Sequence, residues 1–269
     1  MKLPYGWAFR PMKNNDIKPV LEIIYDHDDD DGEWAEKTFA ESGIDNHYVV
    51  TFENEVAGST GFSYADGTDG TYWLSWTYVD EDHQGQKIGT IMLQNLFEML
   101  RNKKARKIFV SLSDYIDPEE GAIYARAMKL YKAAGFKEEI IHRDYYEPGE
   151  SELIYGCTLS HPLPGRNQDD ARGIVLEDVF EVDETDDVYA IDWAFDGQSC
   201  FGASELGALV DKVRAMDARS VFISFPSNVL TVVEPLKNCG FKPCGMLEDF
   251  YKDGLHEFHY RLDLINKHL

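Results

Sequence analysis

Residues 79–90 read VDEDHQGQKIGT and join a predicted strand to a predicted helix. The strand, 71–79, is rich in aromatic residues, and the helix after the loop carries its apolar residues on one face. These are Ile88, Ile91, Met92, Leu96, Met99 and Leu100. A strand–loop–helix junction directs backbone N–H groups and the positive end of a helix dipole at an anion. The stretch therefore predicts a pyrophosphate cradle, although a loop with Gly85 and Gly89 also suits a plain tight connection.

Strands and helices are interleaved on both sides of this junction. The predicted strands are 8–12, 47–52, 56–64, 71–79, 107–112, 137–146 and 152–159. The predicted helices begin at Asp16, near residue 32, at residue 88 and at Asp117, and Gly135 ends the last of them. This order favours a mixed α/β (α+β) fold.

The second half of the chain repeats part of the first. A shift of 113 aligns ARKIFVSL, which starts at Ala105, with ARSVFISF, which starts at Ala218, and 8 of 28 positions match over 85–112. A shift of 105 aligns 130–155 with 235–260, and nine of 26 positions match. Two matching blocks in the same order indicate two related lobes.

A linker is predicted between the two copies. The segment SHPLPGRNQDD, 160–170, combines prolines, a glycine and polar residues. Such a composition is typical of an extended connection. The predicted organisation is a first domain over 1–160, a linker over 161–170 and a second domain over 171–269.

The chain is acidic, with 49 Asp and Glu against 26 Lys and Arg among 269 residues and a net charge of -23. A field of this sign repels phosphate backbones and anionic lipid and attracts cationic partners. The sequence contains neither a signal peptide nor the ~20 consecutive apolar residues that a bilayer-spanning helix needs. These features predict a cytoplasmic protein that binds neither nucleic acid nor membrane.

The four cysteines are Cys157, Cys200, Cys239 and Cys244. They form no C-x-x-C pair, and no histidine lies at zinc-finger spacing from them. Their pattern predicts reduced core thiols and no metal site.

Two motifs resemble those of the GNAT N-acetyltransferase superfamily. Its acetyl-CoA loop reads Q/R-x-x-G-x-G/A after the fourth strand, and a later helix ends in L-Y-x-x-x-G-F. The first motif corresponds to Gln84, Gly85, Gln86, Lys87, Ile88, Gly89 and Thr90, and the second to Leu130, Tyr131, Gly135 and Phe136. The resemblance covers the element order from about residue 7 to 159.

The resemblance implies a GNAT-like fold, with a mixed, mostly antiparallel central sheet flanked by helices, here duplicated in two lobes. Two residues depart from the family pattern. Lys87 replaces the first motif glycine, and Tyr124 stands where many members have asparagine.

The activity that the resemblance implies is acetyl transfer from acetyl-CoA to a primary amine by direct attack on the thioester. A bulge at the end of the fourth strand then leaves a gap for the pantetheine arm, with Tyr78 and Val79 at the matching positions. The backbone N–H of Val79 is expected to polarise the thioester carbonyl. Tyr131 is expected to protonate the departing thiolate, although a tyrosine that packs the helix onto the sheet would look the same.

A carboxylate near the end of the fourth strand is needed to take a proton from the acceptor ammonium. Glu81 is the candidate base, and Asp80, Asp82 and His83 compete with it. All four residues also suit a solvated loop.

Two further charged groups have a functional and a plain interpretation. The run HDDDD, 27–31, is either a solvated face or a recognition patch for a cationic amine. Lys132, with Lys129, is a candidate for the CoA 3′-phosphate, whereas the basic stretch 101–107 is explained by the C-terminal end of the preceding helix.

The second lobe lacks the chemistry of the first. Under the repeat alignment Tyr131 corresponds to Leu236 and Gln84 to Gly197, whereas Gly89 is retained as Gly202. We therefore expect one active site, in the first lobe, and a degenerate second lobe that serves as a structural partner or a wall of the acceptor pocket.

The acceptor is an amine-bearing small molecule or peptide, and composition favours a cationic one. Transfer of a longer acyl group, or a CoA-binding sensor or scaffold without turnover, stays open as an alternative function. The oligomeric state also stays open, a homodimer included.

Overall fold

The structure, a computed structural model, describes residues 3–119, 121–160, 173–197 and 200–264. The chain divides into two compact units. The first takes the described residues of Met1–Leu112, Ile116–Lys137 and Tyr155–His161, and the second those of Ser113–Tyr115, Glu138–Ile154 and Pro162–Leu269. The predicted linker, 161–170, lies outside the described residues, so the predicted domain boundaries stay predictions.

Up to residue 160, strands and helices follow one another in the predicted order. The strands are β1 (Trp7–Pro11), β2 (His47–Phe52), β3 (Glu55–Tyr64), β4 (Thr71–Val79), β5 (Lys107–Ser113), β6 (Lys137–His142) and β7 (Glu152–Thr158). The helices are α1 (Ile17–Tyr25), α2 (Asp29–Ser42), α3 (Ile88–Asn102) and α4 (Ala125–Ala134). Short 3₁₀ helices cover Asn14–Asp16 and Glu81–His83.

The sheet of the first unit is mixed and mostly antiparallel, as predicted. Its strand order is β1-β2-β3-β4-β5-β7. The first four strands pair antiparallel with their neighbours, whereas β4 and β5 run parallel. Helices α1 and α2 cover β2 through a core that includes Val20, Ile24, Phe39 and Val49. Helix α3 packs on the sheet through Ile88 and Met92, which contact Val50.

The end of β4 is irregular, and this irregularity builds the cleft. Ser59 of β3 pairs with Tyr78, but Gly61 pairs with Ser75, so two residues of β4, Trp76 and Thr77, oppose one residue of β3. Trp76 adopts a left-handed backbone with φ of 42°, as the first residue of a bulge does in some bulge types. Within the described residues β4 pairs with β5 only from Thr71 to Trp73. Beyond Trp73 the two strands separate, and we call the gap the β4–β5 split.

Three local predictions differ from the structure. Helix α4 begins at Ala125 rather than at Asp117, because Asp117 and Gly121 close a loop with two mutual backbone hydrogen bonds. Asp16 does not cap α1, since its carboxylate binds the Arg10 guanidinium and the Lys13 N–H. Strand β6 ends at His142, ahead of a turn in which the Asp144 carboxylate accepts the Gly149 N–H.

The second unit is smaller and is also built from a sheet and helices. Its strands are β8 (Ile174–Glu181), β9 (Val188–Phe195), β10 (Ser220–Pro226), β11 (Lys242–Lys252) and β12 (Leu255–Asp263), and its helices are α5 (Ala203–Arg214) and α6 (Val233–Asn238). The strand order is β6-β11-β12-β10-β9-β8. Its core centres on Leu206, Val210, Ile223, Phe225 and Leu236.

Positions aligned by the internal repeat share unusual backbone geometry. Lys104 and Asp217, which a shift of 113 aligns, have φ of 62° and 58°. Asp144 and Asp249, which a shift of 105 aligns, have φ of 49° and 56°. Each of these two aspartates accepts, at 2.8 Å, the N–H of the glycine five residues later.

Other expectations concern the chain as a whole. Among the described residues, no helix combines the length and the apolar character needed to cross a membrane. None of the four cysteines, all of them within the described residues, forms a disulfide. Only Cys157 is buried and Cys200 is exposed, so the core placement predicted for all four is wrong for Cys200. Its thiol donates to Thr231 at 2.9 Å.

Candidate active site

The β4–β5 split opens beside Val79, the last residue of β4. The N–H of the next residue, Asp80, bonds the Ala57 carbonyl on β3 at 3.1 Å. Successive N–H groups of an extended strand point to opposite edges, so the N–H of Val79 is directed away from β3 and toward the split. Its carbonyl is held by the side-chain amide of Gln84 at 3.1 Å. The geometry therefore aims one backbone donor into the gap.

The loop after β4 presents a row of backbone donors. Within the described residues, no backbone N–H from Gly85 to Thr90 has a hydrogen-bond partner. The row comprises Gly85, Gln86, Lys87, Ile88, Gly89 and Thr90, and it ends on the first turn of α3. Free N–H groups and the helix dipole together suit a bound pyrophosphate.

Lys87 occupies the loop position at which the family motif has glycine. Its backbone is left-handed, with φ of 65° and ψ of 16°, at the N-cap of α3. This conformation costs a non-glycine residue about 1–2 kcal/mol, which explains why the motif favours glycine there. Gly89 is the second residue of α3, where this helix lies close to α4. An added Cβ at Gly89 would lie 2.9 Å from the Leu130 side chain.

Tyr131 faces the bulge from α4. Its side chain is 3 % exposed, it packs edge-on against Phe136 at 5.3 Å between ring centroids, and the Thr77 side chain lies near enough to lower the pKa of its phenol. Burial raises the pKa of the phenol above its usual value, so the group stays protonated across the physiological range. A protonated donor lies beside the split, as proton delivery to a thiolate requires.

A second cluster surrounds Asp31, which belongs to the run 27–31 that the sequence offers as a recognition patch for a cationic amine. Its tyrosine partners were not predicted. The hydroxyls of Tyr78 and Tyr124 both donate to Oδ2 of Asp31, the latter at 2.7 Å. Tyr124 also contacts Asp28 at 3.1 Å. Tyr124 and Tyr131 are seven residues apart, a spacing that places both on one face of a helix. That spacing is the sequence signal that could have placed Tyr124 at the site.

His27 and Arg126 join this cluster to the loop through Gln84. The Gln84 amide nitrogen lies 3.0 Å from Nε2 of His27, and its oxygen accepts a bond from Arg126. The Gln84 side chain thus connects the loop to β4, to α4 and to His27, which precedes α2. Tyr78 packs edge-on against His27 at 5.5 Å.

Two predicted site residues lie apart from these contacts. Glu81 is exposed in the 3₁₀ helix that follows β4. Lys132 is exposed in the last turn of α4, where its ammonium lies 5.4 Å from the centroid of the Tyr155 ring. The loop, Val79, Tyr78 and Tyr131 are brought together, whereas the contacts of Glu81 and Lys132 place neither in the cluster.

Residues 15–136 match the family model of the acetyltransferase (GNAT) family. Over 132 residues the chain is 26% identical to the [ribosomal protein bS18]-alanine N-acetyltransferase of Escherichia coli K12, which covers 47% of this chain and 82% of that protein.

Two solved structures are similar to this chain at low identity. The crystal structure of the Escherichia coli ribosomal-protein-S18-alanine N-acetyltransferase is 20% identical, with a TM-score of 0.47, and covers 60% of this chain and 99% of its own. An aminoglycoside 6′-N-acetyltransferase complexed with coenzyme A is 13% identical, with a TM-score of 0.47, and covers 59% of this chain and 99% of its own. The match to the acetyltransferase (GNAT) family extends over residues 15–136, 122 of the 269 residues of the chain, and supports an acyltransferase domain with acetyl-CoA as its co-substrate.

Proposed function

We propose that the first unit transfers the acetyl group of acetyl-CoA to a primary amine by direct attack on the thioester. The observation that carries this proposal is the pair of groups at the β4–β5 split. The Val79 N–H points into the split from β4, and Tyr131 of α4 lies near the bulge residue Thr77. A thioester in the split would lie between a donor for its oxygen and an acid for its sulfur.

Each group has a defined task in the reaction. The Val79 N–H polarises the thioester carbonyl and stabilises the oxyanion that forms when the amine attacks. Tyr131 protonates the thiolate as the carbon–sulfur bond breaks, because burial keeps its phenol protonated. Glu81 is the base that the sequence predicts, and it is exposed beside the end of β4.

The cofactor is held mainly by backbone. The N–H groups from Gly85 to Thr90 bind the pyrophosphate, and Tyr78 and Val79 flank the pantetheine arm. We assign the 3′-phosphate of CoA to Lys132 on the basis of the sequence. The ammonium of Lys132 is exposed and can reach a phosphate at the protein surface. Backbone cradles of this type depend little on side-chain identity, which lets Lys87 stand in for glycine.

We propose a cationic acceptor. Asp28 and Asp31 lie next to Tyr78, and the acidic chain raises the local concentration of cations. The Escherichia coli relative is named for acetylating an alanine of ribosomal protein bS18. A peptide amino terminus is therefore the first acceptor to test, and a small amine the second.

A thiol-release assay with acetyl-CoA tests this function. The acceptor panel is a peptide with a free N-terminal alanine, an N-terminally blocked lysine peptide, spermidine and an aminoglycoside. We expect CoA thiol release that depends on one of these amines, with the acetyl group found on its nitrogen. Binding of acetyl-CoA without release in any reaction would instead identify a sensor.

The second unit is proposed to bind no CoA. Strands β9 and β10 pair only at Val188–Ala190 and Ser220–Phe222 among the described residues, so they also separate. Beyond that point the Trp193 indole N–H donates to the Ser224 carbonyl at 2.6 Å and bridges the gap. An indole in this position fills the space that the pantetheine arm would need.

Calorimetric titration with CoA is expected to give one equivalent per chain, because Trp193 closes the second gap and Leu236 stands where the first unit has Tyr131. The same titration with acetyl-CoA in place of CoA provides the matched measurement of stoichiometry. Two equivalents per chain would contradict a degenerate second unit.

A further inference from the structure

We propose that Asp31, rather than the exposed Glu81, is the catalytic base that takes the proton from the acceptor ammonium. This inference rests on the proposed N-acetyltransferase function and deepens it. Asp31 lies in the first turn of α2, within the acidic run 27–31, and is partly buried. It is the residue of that run that contacts both β4 and α4.

The position of Asp31 follows from its two tyrosine partners. Tyr78 precedes Val79, whose N–H is directed into the split. Tyr124 is the N-cap residue of α4, seven residues before Tyr131. The carboxylate of Asp31 is thus held by the side chain of the residue before Val79 and by the residue from which the helix of Tyr131 begins.

One oxygen of Asp31 is available to a substrate. Both phenols donate to Oδ2. Within the described residues, Oδ1 accepts no hydrogen bond. Its neighbour Asp28 accepts the N–H groups of Asp30 and Asp31 with Oδ1, and its Oδ2 lies 3.1 Å from the Tyr124 hydroxyl, whose one proton is directed at the nearer Asp31. Among these carboxylates, Asp31 combines a fixed orientation with an open acceptor atom.

The surroundings of Asp31 also suit a base. Burial raises the pKa of its carboxyl, the bonds from Tyr78 and Tyr124 oppose that rise, and the charges of Asp28 and Asp30 add to it. The pKa values of both phenols are raised by burial and by Asp31, so they remain donors. A carboxylate with a raised pKa is a stronger base than a solvated one.

The proton and electron balance is simple. The ammonium gives one proton to Oδ1 of Asp31 and becomes a neutral amine. Its lone pair bonds the thioester carbon, and the carbon–sulfur bond breaks with its electron pair on sulfur. Tyr131 gives its proton to that sulfur, and the second proton lost by nitrogen restores the phenol. Asp31 passes its proton to solvent, so the products are the amide, the CoA thiol and one proton.

The main test compares Asp31→Asn with Glu41→Gln, using the amine of the panel that releases most thiol. Both variants remove one charge from α2, but Glu41 lies in its last turn and is exposed. We expect Asp31→Asn to lower kcat/KM at neutral pH by about 10²- to 10⁴-fold and Glu41→Gln to leave it unchanged. The loss should shrink as pH rises, because more of the amine is then neutral without a base.

The pH profile separates a base from a structural residue. Protonated Asp31 cannot accept a proton, so wild-type kcat/KM should rise with pH through the pKa of Asp31, and Asp31→Asn should lose that limb. Tyr124→Phe removes a bond that lowers this pKa, so the limb should move to higher pH. The acetyl-CoA Kd of each variant, measured by calorimetry, reports whether the cleft is intact.

Three results would overturn the inference. One is an acidic limb in Asp31→Asn that matches the wild type, another is an equal loss in Asp31→Asn and Glu41→Gln, and the third is an unmoved limb in Tyr124→Phe. If the wild-type protein is active, any of these results would still leave the proposed function in place. A wild-type protein that acetylates no amine in the panel would remove both.

Discussion

Replacement of Tyr131 with phenylalanine is expected to lower kcat by about 10²- to 10⁴-fold, because the variant cannot protonate the departing thiolate. Phenylalanine keeps the ring contact with Phe136 and loses only the hydroxyl, so we expect the stability of the fold to change little. Steady-state thiol release and the acetyl-CoA Kd together check this, since we expect kcat to fall while Kd holds.

Tyr48→Phe is the matched control for this variant. Tyr48 lies on β2 of the same unit and stacks on Phe9 at 5.4 Å between ring centroids. The Tyr48→Phe substitution should leave kcat unchanged. Full turnover in Tyr131→Phe would show that Tyr131 only packs α4 onto the sheet.

Gly58→Ala should disable the site through the backbone. Gly58 pairs with Val79 across β3 and β4, and an added Cβ would lie 2.6 Å from the Tyr78 carbonyl oxygen and 3.3 Å from the Val79 Cα. Backbone atoms cannot rotate aside, so the strands must separate where the Val79 N–H is aimed. We expect a loss of about 1–3 kcal/mol in stability. We also expect a loss of about 10²-fold in kcat/KM.

Gly207→Ala provides the comparison. Gly207 lies within α5, and an added Cβ there would have no neighbour within 4 Å. Alanine should stabilise the helix by about 0.5–1 kcal/mol and leave kcat/KM unchanged. Chemical denaturation and thiol release measure both quantities. A Gly58→Ala protein with wild-type activity would show that the position of Val79 is not critical.

The junction of β4, the loop and α3 was predictable because its local signals agree. The predicted strand 71–79 matches Thr71–Val79, and the predicted helix from residue 88 matches Ile88–Asn102. Here alternating aromatic residues, glycines and one apolar helical face all indicate the same structure. Family motifs then supplied the chemistry, since Val79 and Tyr131 match positions whose roles do not follow from spacing.

The acceptor side was not predictable because its contacts join distant parts of the chain. Asp31 meets Tyr78 and Tyr124 over sequence separations of 47 and 93 residues. Within the run 27–31 nothing local distinguishes Asp31 from Asp29 or Asp30, which are exposed. The start of α4 was missed for a related reason, since the loop closed by Asp117 and Gly121 competes with a helix start.

A crystal structure of the protein with acetyl-CoA tests the central claim most directly. We expect the pyrophosphate on the N–H groups between Gly85 and Thr90, the thioester oxygen on the Val79 N–H and the sulfur beside the Tyr131 hydroxyl. The gap beside Trp193 should hold no second molecule. A co-factor-soaked crystal in which the gap between β4 and β5 is empty, or in which the thioester lies away from Val79 and Tyr131, would contradict this account.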